Sequence, residues 1–102
     1  MLKSERLLKQ MYNKFNVKYF DGDLPDAKIY YEPVSAYADC DLVNGTFVIR
    51  INPAIAGWIG FLKLTLLHEM IHVRLFPYRK HGVRFDREIQ RLMGFKEIRV
   101  LV

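Results

Sequence analysis

Over the first twenty positions the apolar residues Leu7, Leu8, Met11, Tyr12, Phe15 and Tyr19 recur at three- and four-residue spacing. That period draws one stripe along a helix and predicts an amphipathic first element with a single buried face. "DGDLP" ends it, with Gly22 and Pro25 as punctuation. The pattern then changes to the two-residue period of strands. "AKIYYE" is a short strand, and "YADCDLVNGTFVIRIN" holds Asn44-Gly45, the pair that supplies the positive φ angles of a tight hairpin turn. In the second arm Phe47, Ile49 and Ile51 share one face, and Thr46, Val48 and Arg50 the other. These runs predict a three-stranded, mostly antiparallel sheet.

From Trp58 to Phe76 the chain is apolar around most of a helical circumference. A short chain keeps such a helix only by packing it centrally, between the first helix and the sheet. Pro77 ends it, since proline donates no backbone hydrogen bond and its predecessor avoids the α region. From about His81 a helical period resumes through Phe85, Ile89 and Leu92 and stops at Gly94. The closing "FKEIRVLV" alternates like a strand. The fold class expected is α+β: one helix, three strands, two helices and a last strand, in a single domain over residues 1–102.

Composition narrows the chemistry. The 102 residues are 51% hydrophobic, enough for one packed core. The single cysteine, Cys40, excludes an internal disulfide and a cysteine-based zinc ribbon, so any metal must be held by histidines and carboxylates. The first twenty residues interleave charge with apolar positions, which predicts neither a signal peptide nor a membrane span and places the protein in the cytoplasm. The net charge of +5 is concentrated in Lys3, Arg6, Lys9, Lys14 and Lys18, and again in Arg74, Arg79, Lys80, Arg84, Arg87 and Arg91. Solvated helix faces account for such runs, and weak, sequence-independent DNA binding is the functional expectation they add.

The stretch "LLHEMIHVRLFPYRKHG" carries the candidate chemistry. His68 and His72 lie one helical turn apart, so both rings leave the same face and can share a tetrahedral metal. Glu69 lies roughly 100° further round the helix, beside such a metal and not on it. A carboxylate there can take a proton from a water that zinc has acidified and pass it to a leaving amine. This is the H-E-x-x-H arrangement of metalloproteases. His81, brought back by the turn at Pro77, is the third ligand expected, and Gly82 beside it would permit close backbone approach. Asp86 and Glu88 are the alternatives if the following helix docks differently, while Glu97 is remote in sequence. Three protein ligands leave a fourth position open, the pattern of catalytic zinc.

The ordered set "MYNKFNVKYFDGDLP", a short strand, a hairpin, "LLHEMIH" and "HGVRF" resembles the SprT-like domain of Spartan-type zinc metalloproteases over nearly the whole chain. The resemblance implies a compact zincin-like fold, zinc on His68, His72 and His81, and Glu69 as general base. It also implies proteolysis of DNA-bound or DNA-crosslinked proteins, although this chain carries neither the cysteine zinc ribbon nor the DNA-binding tail of longer members. The reaction expected is peptide-bond hydrolysis of a protein substrate, with no membrane partner and an undetermined oligomeric state. Tyr78, Arg79 and Arg84 lie near the third histidine in sequence, but none is singled out as the oxyanion donor. Three other readings use the same residues: a phage or mobile-element protease acting on one regulatory protein, a zinc-holding module that binds DNA or protein without catalysis, and a metal-dependent hydrolase of RNA.

Overall fold

The computed structural model describes residues 3–102; Met1 and Leu2 of the expected domain lie outside the described residues. Helix α1 (Lys3–Phe20) is followed by strands β1 (Ala27–Tyr31), β2 (Ala38–Val43) and β3 (Thr46–Ile51). After a 3-10 turn at Pro53–Ile55 come α2 (Ile59–Leu75), α3 (Val83–Leu92) and α4 (Lys96–Arg99).

Helix α1 buries Leu8, Tyr12, Phe15, Tyr19 and Phe20, while Leu7, expected on that stripe, is exposed. Asp21 and Gly22 then take positive φ angles of 55° and 72°, and the Gly22 amide donates to the Asn16 carbonyl. The turn is locked by side chains. Asn16 donates to the Leu24 carbonyl and accepts from the Leu24 amide, both at 3.0 Å, and the Tyr12 hydroxyl donates to the Pro25 carbonyl at 2.6 Å. "MYNKFNVKYFDGDLP" is thus a helix together with the clasp that aims its exit at β1.

The sheet order is β1-β3-β2, with β3 parallel to β1 and antiparallel to β2. The hairpin turns at Asn44 and Gly45, with φ of 50° and 80°, as the sequence predicts. The sheet is mixed, where a mostly antiparallel one was expected. A two-residue period fixes which face each side chain takes but not which strand is its neighbour. Residues 32–37 carry the chain past the place that β3 later fills, so β1 and β2 become opposite edges. The central strand is the most enclosed, with Ile49 and Ile51 fully buried.

Helix α2 packs against β2 and β3 and carries α3 on another side. Its middle is core, with Leu62, Leu66, Leu67, Met70, Ile71 and Val73 buried, but Trp58, Ile59, Phe61 and Phe76 at its ends are exposed. Phe76 is extended (φ −50°, ψ 134°), as the residue before a proline requires. The expected final strand is a helical turn. Ile98 is buried and Leu101 half-buried, whereas Val100 and Val102 face solvent, so the inward residues are spaced by three, where alternation would have put Ile98 and Leu101 on opposite faces. Among the described residues no helix is long and apolar enough to cross a membrane.

Candidate metal centre

Helix α2 presents His68 and His72 one turn apart, and Pro77 turns the chain so that residues 76–82 return His81 to the same face. The three histidines can each offer a ring nitrogen such that all three atoms lie within 4.8 Å of one another. Nε2 of His72 lies 3.2 Å from Nε2 of His68 and 2.9 Å from Nε2 of His81. Tetrahedral zinc with Zn–N bonds of about 2.0–2.1 Å would set neighbouring nitrogens roughly 3.3 Å apart, so the donor set fits such an ion. Burial pushes the His68 imidazole down to about 4, with His72 and His81 adding to the shift, and His72 is lowered for the same first reason. Neutral imidazoles are the form that binds metal.

Helix α3 starts two residues later than expected, at Val83, so His81 and Gly82 belong to the preceding turn. Gly82 has a negative φ, and a Cβ there would meet nothing within 4 Å, so close approach is not what glycine provides. The alternative ligands lie elsewhere. Glu88 is held by Arg74 and Arg91, each at 3.0 Å, Asp86 is exposed, and Glu97 pairs with Lys18 at 2.9 Å.

Phe85 is the residue whose part the sequence did not disclose. Its ring centroid lies 4.9 Å from that of His68, 5.1 Å from His72 and 4.4 Å from His81, and the side chain is buried. It backs all three imidazoles with one apolar surface. A helical period marks Phe85 as inward-facing but does not name what it touches.

Glu69 is 5% exposed, and its side chain reaches a cleft of about 380 Å³ shared with the three histidines. Burial raises its carboxyl to about 7, and Asp39 contributes less. The smaller share suits the geometry, because Arg50 grips Asp39 through two bonds of 2.8 and 2.6 Å and offsets its charge. Opposite stands the edge strand β2, where Cys40 also faces the cleft. Burial, then Glu69, pushes the Cys40 thiol up to about 12, so it stays protonated and is a poor competitor for metal. Arg79 lies in the same cleft and reaches Asp41 of β2 at 3.2 Å, whereas Arg84 stacks on the Tyr78 ring at 3.9 Å.

The sequence profile of the SprT-like family matches residues 8–100. This chain belongs to the SprT-like family. The fold is similar to that of the metallopeptidase zymogen of Pyrococcus abyssi abylysin, with a TM-score of 0.68, 16% identity, and coverage of 92% of this chain and 87% of that one. At that identity the likeness concerns the fold, which agrees with the zincin-like architecture expected for a SprT-like domain. No curated protein matches the sequence significantly.

Proposed function

We propose that this SprT-like domain is a zinc-dependent endopeptidase in which His68, His72 and His81 hold the metal and Glu69 is the general base. The observation that carries the reading is the convergence of three imidazole nitrogens beside a buried carboxylate on one helix face. Bound zinc would polarise the scissile carbonyl and acidify a water molecule.

The chain's own residues supply the rest. A carboxyl held near 7 is matched to accepting a proton from water and returning it to the leaving amine near neutral pH. Phe85 keeps the histidine rings in register and keeps water from their inner side. Strand β2 is an edge of the sheet and borders the cleft, so an extended substrate backbone can pair along it and be drawn over Glu69. Arg79, which lines the cleft and pairs with Asp41 at 3.2 Å, is the candidate to steady a developing oxyanion.

DNA-associated proteins are the substrates that the SprT-like family membership favours. The test is cleavage of unfolded and DNA-bound proteins by zinc-loaded protein, with RNA offered in the same buffer. Chelation should abolish protein cleavage and added zinc should restore it. Degradation of RNA alone would overturn the endopeptidase reading.

A further inference from the structure

The β2 edge that borders the cleft is open over a shorter run than the six residues of the strand. The tight turn at Asn44-Gly45 makes Val43 and Thr46 a hydrogen-bonded pair, and in an antiparallel ladder such pairs alternate. Asp39 and Asp41 therefore turn their backbone groups toward Arg50 and Val48 of β3. The 2.8 Å bond from the Asn52 amide to the Tyr37 carbonyl continues the same alternation. Ala38, Cys40 and Leu42 turn theirs outward, to the side where an added strand would pair.

One of those outward groups is already taken. The Leu42 amide donates to Oδ1 of Asp41 at 2.8 Å, and the same oxygen accepts from Nη2 of Arg79 at 3.2 Å. The Leu42 amide, then Arg79, hold the Asp41 carboxyl below the usual carboxylate range, so it is ionised and accepting at neutral pH. Arg79 belongs to the turn that returns His81, and beside it the Phe76 ring meets Phe47 of β3 edge-on at 5.4 Å. One end of the cleft is thus crossed by contacts between the sheet and residues 76–82. Toward the other end the Ala36 carbonyl accepts from Nδ2 of Asn52 at 3.3 Å. Between these two points the outward groups of Ala38 and Cys40 remain for a partner.

We propose that Asp41 is a specificity-determining residue that ends substrate pairing on β2 at Cys40, because it occupies the Leu42 amide itself and, through Arg79, straps the edge to the 76–82 turn. The inference rests on the endopeptidase reading above. A substrate backbone that continues past Cys40 gains a bond at Leu42 only if its carbonyl displaces the Asp41 carboxylate. A carboxylate is the stronger acceptor, so the exchange brings no net gain. Length beyond the stop therefore adds little to binding. The strap is still displaceable, since the Asp41 and Arg79 side chains are 54% and 65% exposed and ion pairs so placed contribute little. The edge thus grips a short run of backbone and leaves the rest of the substrate free.

The test uses zinc-loaded protein and one cleavable peptide lengthened by a dipeptide unit at its N-terminal or its C-terminal end. The readout is the ratio of kcat/KM for long over short peptide, in which any general effect passed through Arg79 cancels. In Asp41→Ala one of the two extensions should raise that ratio ~2–10-fold above its wild-type value, the range for one net hydrogen bond. Asp41→Asn keeps an acceptor for the Leu42 amide, so its ratio should stay nearer to wild type. Cleavage with equal ratios in wild type and Asp41→Ala overturns the stop and leaves the endopeptidase reading standing. Self-association of Asp41→Ala alongside equal ratios would make Asp41 a guard against pairing between copies, which also overturns it. Hydrogen exchange at the Leu42 amide gives a readout without catalysis. In zinc-loaded Glu69→Gln protein the amide should be protected. Asp41→Ala in that background should remove the protection, and the long peptide but not the short one should restore it. Protection unchanged by Asp41→Ala overturns the stop. The expected exchange pattern in a protein whose wild type cleaves nothing supports the stop and overturns the hydrolase.

Discussion

The ring of Phe85 lies 33° from the plane of His81 with centroids 4.4 Å apart, so a buried side chain of α3 sets the orientation of an exposed histidine in the turn before it. The same ring also meets His68 and His72. Phe85→Ala should therefore act twice. Removing the ring should cost ~3–5 kcal/mol of stability, and zinc affinity should fall ~10–100-fold, as when support behind metal ligands is lost. Urea titration and competition with a zinc chelator on the same sample check both. Unchanged affinity in the folded variant would mean that the ligands are oriented by something else.

His81→Ala should weaken zinc binding by more than the ~10–100-fold typical of losing an outer-shell partner, with the fold retained. His81 is exposed and the core does not depend on it. Circular dichroism and bound-metal analysis decide the matter. Stoichiometric, tightly held zinc in this variant would remove His81 from the ligand set.

His68 and Glu69 make opposing contributions to the pH dependence of the metal-free fold. Burial lowers His68 from 6.5 to about 4, so across that window the unfolded chain binds the proton that the folded chain refuses, and stability rises with pH. Burial raises Glu69 from 4.5 to about 7, so the folded chain keeps a proton that the unfolded chain releases, and stability falls with pH. The two offset one another between about pH 4.5 and 6.5. Glu69→Gln deletes the falling contribution, and its urea midpoint in chelator should climb with pH more steeply than that of wild type. Parallel curves would contradict the burial of Glu69, since His68 contributes alike to both proteins.

Several turning points were legible because local chemistry decides them. Asn44-Gly45 can form only a few kinds of turn, Pro77 cannot extend a helix, and His68 and His72 at helical spacing must share a face. What stayed hidden depends on partners distant in the chain. The alternation of β1 did not say that β3 would insert beside it. "FKEIRVLV" fits a period of two as well as the spacing of Phe95, Ile98 and Leu101, and the chain takes the second. Asn52 reads as a loop residue until the carbonyls of Val34 and Ala36 are seen to converge on it. Glu88 and Arg91, one a candidate ligand and the other a candidate DNA contact, neutralise each other.

That last pairing also tempers the DNA expectation. Arg91 donates to Glu88 and to the Tyr19 carbonyl, Arg74 meets Glu88, and Lys9 and Lys18 pair with Asp26 and Glu97. Lys80, Arg84 and Arg87 are exposed near the site, as are Arg6 and Lys14 on α1. Binding to DNA should be weak and indifferent to sequence, and should weaken as salt rises. Arg84→Ala and Arg87→Ala should each lower the slope of log affinity against log salt by about 1. Fluorescence anisotropy at several salt concentrations measures it. No binding at low salt, or affinity independent of salt, would remove DNA from the account.

Glu69 is the proposed general base, and the proposed metal site does not need it to retain the ion. The decisive measurement is protein cleavage by Glu69→Gln beside wild type, both verified to hold one zinc. Glutamine keeps the size of the side chain and removes its capacity to accept a proton. The rate should fall by at least ~10², the lower range for a general base, with zinc content and folding unchanged. Equal cleavage by the two proteins would contradict the assignment of Glu69 and, with it, the mechanism built on this face of α2.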